Sequence, residues 1–263
     1  MRSPGSRGQE LARDVAGNEQ IRTPLVLFIP YRCKRRCDRS YWMFGLIPFF
    51  RSTIGKKVLM AVSGVFLFAF CVEHVTGALL FFKGPETING YGRLLHYSAA
   101  LVWSFRVGLM LSAIVHVTFA TLLYFQELAA RPVGYRSRRY LRASYAARTM
   151  KYSGPFLLAF VIFHLAHLTW GYNVVPGRFI QGDIYANMLN GFRTGWVALI
   201  YVGAVSLLGL HLLHGAHSMF ESLGLRHRRV ESLLFGFARV AALVIAVGLA
   251  LAPAAVFFRV FGG

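Results

Sequence analysis

The sequence predicts an all-α membrane protein, a bundle of five transmembrane helices, and three observations carry that expectation. Of 263 residues, 56% are hydrophobic and only 15% are charged, with a mean hydropathy of +0.51; soluble domains carry about a quarter charged residues. The apolar residues fall into blocks at about 57–82, 99–126, 153–172, 195–219 and 237–258. Each supplies roughly the 20 residues a helix needs to cross hydrocarbon. A spanning backbone must satisfy its own hydrogen bonds, which a helix does. The short alternating segments of a membrane β-barrel are not seen.

Charge placement is the third observation. The net charge is +19. Basic residues gather before the first block (Arg51, Lys56, Lys57), after the second (Arg131, Arg136, Arg138, Arg139, Arg142, Arg148, Lys151) and after the fourth (Arg226, Arg228, Arg229, Arg239). The loops between are poorer, with Lys83, Arg93 and Arg106 in one and Arg178 and Arg193 in the other. The positive-inside rule then places the N-terminus in the cytoplasm and the C-terminus outside. An odd number of crossings requires the same. Because the charge follows alternate loops, it argues for topology and against nucleic-acid binding.

Taken in order, residues 1–42 are polar, Arg-rich and broken by Gly and Pro, and read as a disordered basic extension. The patch "PLVLFIP" is too short to cross a bilayer. The order of a secretory signal does not stand out. Cys33 and Cys37, in "CKRRC", lack the further ligands of a structural zinc. From Met43, "MFGLIPFFRSTIGKKVLMAVSG" reads as an amphipathic lead-in to the first span. That span carries Ser63, Gly64 and Gly77, and the fourth carries Gly203, Gly209 and Gly215. Small residues let membrane helices pack closely, and they also leave room for a flat cofactor. The third span is the shortest and starts near Pro155, a residue tolerated in a first turn.

Histidines mark four of the spans: His74, His116, the pair His164 and His167, and the run His211, His214 and His217. Ionisable groups inside a membrane are expensive and usually functional. At 1.5 Å of rise per residue, His74 and His164 lie roughly 12 Å below the outer edge, and His116 and His211 roughly 25 Å below it. The four therefore sort into two pairs at two depths, each pair drawn from two helices. Depth favours His164 over His167, and His211 over His214 and His217. Two imidazoles facing each other from separate helices suit a low-spin haem. Two such pairs, roughly 12 Å apart along the normal, would form a two-haem path for electrons. A proton relay is the physical rival, and it would more naturally recruit carboxylates; mid-span, only Glu73 offers itself.

Across roughly 43–258 the chain resembles the single-chain, five-helix, two-haem cytochrome b membrane-anchor subunit of succinate dehydrogenase and quinol:fumarate reductase. "STIGKKVLMAVSGVFLFAFCVEHVTGALLFF" is similar to that family's first helix, and "GPETINGYGRLLH" to the loop after it. "RVGLMLSAIVHVTFA" with "ELAARPVGYR" is similar to the second helix and its inner loop, and "GPFLLAFVIFHLAH" to the third. "HLLHGAHSMFESLG" has the family's His–Gly–Gly spacing at His211, Gly215 and Gly224.

The resemblance implies two haems b with iron ligands His74, His164, His116 and His211, the first helix pairing with the third and the second with the fourth. It also implies a flavoprotein subunit carrying FAD, and an iron–sulfur subunit docked on the basic inner face. Electrons would reach a quinone, menaquinone by this reading, near the outer haem. The setting the resemblance implies is a bacterial cytoplasmic membrane, and the pathway it implies is the tricarboxylic acid cycle. Hydrogen-bonding candidates for the quinone are Glu86, Tyr91, Arg93 and His96 in the outer loop. The chain shows no flavin or iron–sulfur signature, so it is not expected to act on succinate by itself. Two other readings remain open at this point: a dihaem cytochrome b of another quinone-linked oxidoreductase, and a proton-coupled transporter. The first commonly needs two ligands about four turns apart on one helix, which no span here offers; the second predicts a colourless protein.

Overall fold

The computed structural model describes residues 46–130, 133, 144–172, 174–225 and 227–260, and every regular element among them is helical. The extension over 1–42 with its "CKRRC" lies outside the described residues, as do the arginines at 131, 136, 138, 139, 142 and 226. Among the described residues, five helices are long and apolar enough to cross a membrane, the pattern of a multi-pass membrane protein.

A short helix, α1 (Leu46–Arg51), leads into the first span, α2 (Thr53–Leu79). Ser52 caps α2 by accepting from the Gly55 amide at 2.9 Å, which satisfies one of the orphan donors of a helix start. The span runs on through a 3₁₀ turn, Leu80–Lys83, and stops at Gly84, whose φ of 94° a side chain would disfavour. Helix α3 (Pro85–Leu95) follows, with Pro in its first turn. The second span is α4 (Ala99–Ala129), capped by Ser98.

The third span, α5, is Tyr145–His164, and it continues as a π turn over Leu165–Thr169. It therefore begins at Tyr145 rather than near 153, and Pro155 is interior to it, not in its first turn. The reason is local. Ser144 caps the earlier start, accepting from the Ala147 amide at 3.1 Å. The first two turns are too polar to read as hydrocarbon-spanning: Arg148 and Lys151 lie over the rings of Tyr145 and Tyr152, a basic and aromatic belt suited to the membrane surface. Helix α6 (Ile184–Arg193) is capped by Asp183. The fourth and fifth spans are α7 (Gly195–Ser222) and α8 (Glu231–Phe257), the latter with Pro253 inside it.

Helices α3 and α6 fall where loops were expected, because two or three turns of mixed polarity leave no span-length signal. They pack on each other at one end of the bundle. The Asn89 carboxamide oxygen accepts from the Ile184 and Tyr185 amides at 2.9 and 3.2 Å, and its NH₂ donates to Asp183 at 2.9 Å. Below this polar joint, Phe81 stacks on Tyr185 at 4.8 Å. Phe81, Ile88, Met188, Phe192, Val197, Tyr201 and Val256 form the buried apolar core of that end.

Span α7 packs on α8, α5 and α2, and α2 also packs on α4 and α8. Close approach uses glycine: a side chain at Gly248 would overlap Val75, and one at Gly209 would sit 2.9 Å from Ala246 Cβ. Helix α4 leans on α2 and buries no residue of its own. Among the described residues, α2 and α5 make at most isolated backbone contacts, and so do α4 and α7. These are the two helix pairs whose histidines meet.

Candidate functional site

His74 of α2 faces His164 of α5, with ring centres 5.7 Å apart and ring planes at 86°. His116 of α4 faces His211 of α7, with ring centres 6.4 Å apart and planes at 60°. The structure thus brings together the residues that depth alone had matched. An imidazole nitrogen sits about 2 Å from a first-row metal, so two imidazoles on opposite sides of one ion hold their ring centres about 6 Å apart. Both pairs have that spacing.

Hydrogen bonds orient three of these rings. His116 Nδ1 lies 3.0 Å from the Met60 carbonyl. A carbonyl only accepts, so Nδ1 carries the proton and Nε2 keeps its lone pair in the neutral ring. His211 Nδ1 lies 3.4 Å from Ser153 Oγ, whose hydroxyl can donate to the Met150 carbonyl at 3.5 Å. His164 Nδ1 lies 3.2 Å from the Tyr201 hydroxyl. In each case a protein group occupies Nδ1, the arrangement that presents Nε2 to a metal. Phe70 stacks against His74 with centres 5.3 Å apart.

The pairs stand at different levels. Along α5, Ser153 marks the inner level and His164 the outer, an interval of about 16 Å; along α7, His211 and Tyr201 mark the same levels, about 15 Å apart. This is wider than the ~12 Å expected from span boundaries. Among the described residues, no three His, Cys, Asp or Glu side chains converge on one metal position. The donor set is therefore two imidazoles per level. That suits a metal whose remaining ligands come from a macrocycle, not a structural cation held by protein alone. Gly64 lies against His116, and a side chain at Gly215, one turn beyond His211, would meet nothing within 4 Å.

The surplus histidines have other surroundings. His167 is buried, with Nδ1 3.0 Å from the same Tyr201 hydroxyl. It packs against Gly191, where any side chain would overlap its ring, so it lies inside the protein. His217 stacks on Phe235 with centres 3.8 Å apart. His167 also lines a shallow open cleft with Tyr172, Arg178, Asn187 and Asn190.

The four outer-loop candidates have different surroundings. Tyr91 donates its hydroxyl to the Glu73 carboxylate and lies over Gly77 of α2. Burial, and then that neighbouring carboxylate, push the Tyr91 phenol up to about 12. His96, just past the end of α3, donates from Nδ1 to the Gly92 carbonyl of that helix at 2.8 Å. Glu86 and Arg93 are exposed. Sequence reasoning missed Tyr201 and Ser153. A tyrosine and a serine inside apolar spans were the available signals, but only the fold shows that they face histidines.

No family model, curated protein or solved structure matches this chain.

Proposed function

We propose that the chain is the membrane-anchor cytochrome b subunit of a respiratory succinate:quinone oxidoreductase in a bacterial cytoplasmic membrane, with its N-terminus in the cytoplasm and its C-terminus outside. The observation that carries the proposal is the pair of facing imidazole couples, on two levels, from four separate helices. His74 and His164 would hold an outer haem b, and His116 and His211 an inner one. A bound haem supplies one-electron exchange at its iron.

The residues of the chain do the rest. The Met60 carbonyl, Ser153 and Tyr201 turn three imidazoles so that Nε2 is free. Helices α2 and α8 close on each other at Gly248, against Val75. At the end where α3 and α6 lie, Tyr91 and Glu73 form a polar pair one residue from His74. Their hydrogen-bonding chemistry suits the head group of a quinone, menaquinone in this reading, that must take or release protons. Partners would be an FAD flavoprotein, where succinate chemistry takes place, and an iron–sulfur subunit on the basic inner face.

The test is purification from membranes with haem quantitation and a reduced-minus-oxidised spectrum. Two low-spin haems per chain, with flavoprotein and iron–sulfur subunits co-purifying, are expected. A colourless protein would overturn the proposal in favour of a transporter. Two haems with other partners would mark a different dihaem cytochrome.

A further inference from the structure

Three side chains from two helices share one hydrogen-bond line beside the outer pair. Tyr201 of α7 is 5% exposed, and His167, in the π turn that follows α5, is 7% exposed. The Tyr201 hydroxyl lies 3.2 Å from His164 Nδ1 and 3.0 Å from His167 Nδ1. One hydroxyl has one proton, so it can donate to only one of them and must accept from the other. If His164 offers Nε2 to a metal, its Nδ1 bears the proton and donates to Tyr201. Tyr201 then donates to His167 Nδ1, and His167 carries its own proton on Nε2. With His164 Nε2 given to a metal, this is the one assignment that pairs all three groups.

We propose that Tyr201 is a positioning residue for the outer iron ligand His164, and that His167 sets the direction in which Tyr201 acts. This rests on the two-haem reading above. An acceptor on Nδ1 fixes the ring and makes Nε2 more basic. Donation from Tyr201 to His167 strengthens Tyr201 as an acceptor, because chained hydrogen bonds polarise each other. A more basic ligand favours the ferric ion and lowers the midpoint potential of that haem. The inner pair has only a longer counterpart: His116 donates straight to a carbonyl, and His211 lies 3.4 Å from Ser153 Oγ, which can donate to the Met150 carbonyl at 3.5 Å.

The experiment is a redox titration of the purified holoprotein, following both haems by their spectra, in wild type, Tyr201→Phe, His167→Asn and His167→Leu. Wild type must first show two haems; fewer would remove the premise and the positioning role with it. Tyr201→Phe is expected to keep both haems, to raise one midpoint potential and to leave the other unchanged. His167→Leu is expected to raise the same potential by a smaller step. His167→Asn, which keeps an acceptor near the place of Nδ1, is expected to restore the wild-type value. Two unchanged potentials in Tyr201→Phe would overturn the proposal. Should Tyr201→Phe lose its haems, the His167 variants decide: a shift with Leu but not Asn supports the role, and wild-type values in both overturn it.

Discussion

His116 on α4 faces His211 on α7 with ring centres 6.4 Å apart, although the two helices make at most isolated backbone contacts. The same holds for His74 and His164 on α2 and α5. At both levels the paired helices meet chiefly through these side chains, whereas α8 closes on α2 at Gly248 and on α7 at Gly209.

Ligand pairs make losses non-additive. His116→Ala and His211→Ala are each expected to reduce the haem count from two to one, and the double variant is expected to retain that one. Combining His116→Ala with His74→Ala removes both. Haem quantitation against protein checks this; a further loss in the His116→Ala/His211→Ala variant would break the pairing.

Gly248 is where α8 meets Val75 of α2 without room for a side chain. Gly248→Val is expected to destabilise the bundle by about 1–3 kcal/mol through overpacking. Gly236, on the same helix, has open space around its missing side chain, so Gly236→Ala should cause no loss. Thermal melting in detergent compares the two, and equal destabilisation would remove the packing explanation.

Asn89 joins α3 to α6 through one donor and two accepted bonds. Asn89→Ala leaves the Ile184 and Tyr185 amides without that acceptor, a loss of about 1–3 kcal/mol. Asn89→Asp keeps an acceptor but sets a second carboxylate against Asp183, so it should not rescue the joint at neutral pH. Faster deuterium uptake in Ile184–Arg193 is the expected sign in both variants.

Asp183 gives that joint a pH dependence. The Ala186 amide first, and the Asn89 carboxamide second, hold its carboxyl below the usual range. A lowered folded pKa stabilises above the unfolded value and is lost as pH falls through the folded one. Protection of α6 should therefore be flat from pH 7 to 5 as far as this group is concerned, and should weaken below about pH 4. Asp183→Asn should abolish that acid step in exchange rates corrected for intrinsic pH effects.

How far the sequence reached can be seen residue by residue. His74, His116, His164 and His211 were selectable by depth because a helix rises by a constant step, so sequence distance becomes height. The two short helices were not legible, since Pro85–Leu95 and Ile184–Arg193 carry too few residues for a spanning pattern. Nor was the start of α5 at Tyr145, where interfacial Arg and Lys mask a continuing helix. The quinone candidates shared a loop in sequence, yet only Tyr91 among them bonds to a span, through Glu73.

The sequence by itself determined the helical class, the number of spans and the sorting of the histidines into two depths, because hydrocarbon imposes length and apolarity along one dimension. It could not say which way a ring points around its helix or what stands behind it. Only the tertiary structure decided that Met60 turns His116, that Ser153 meets His211, and that Tyr201 lies between His164 and His167. Those relations depend on helix rotation and neighbour choice, which packing of all five spans sets together and no local pattern encodes.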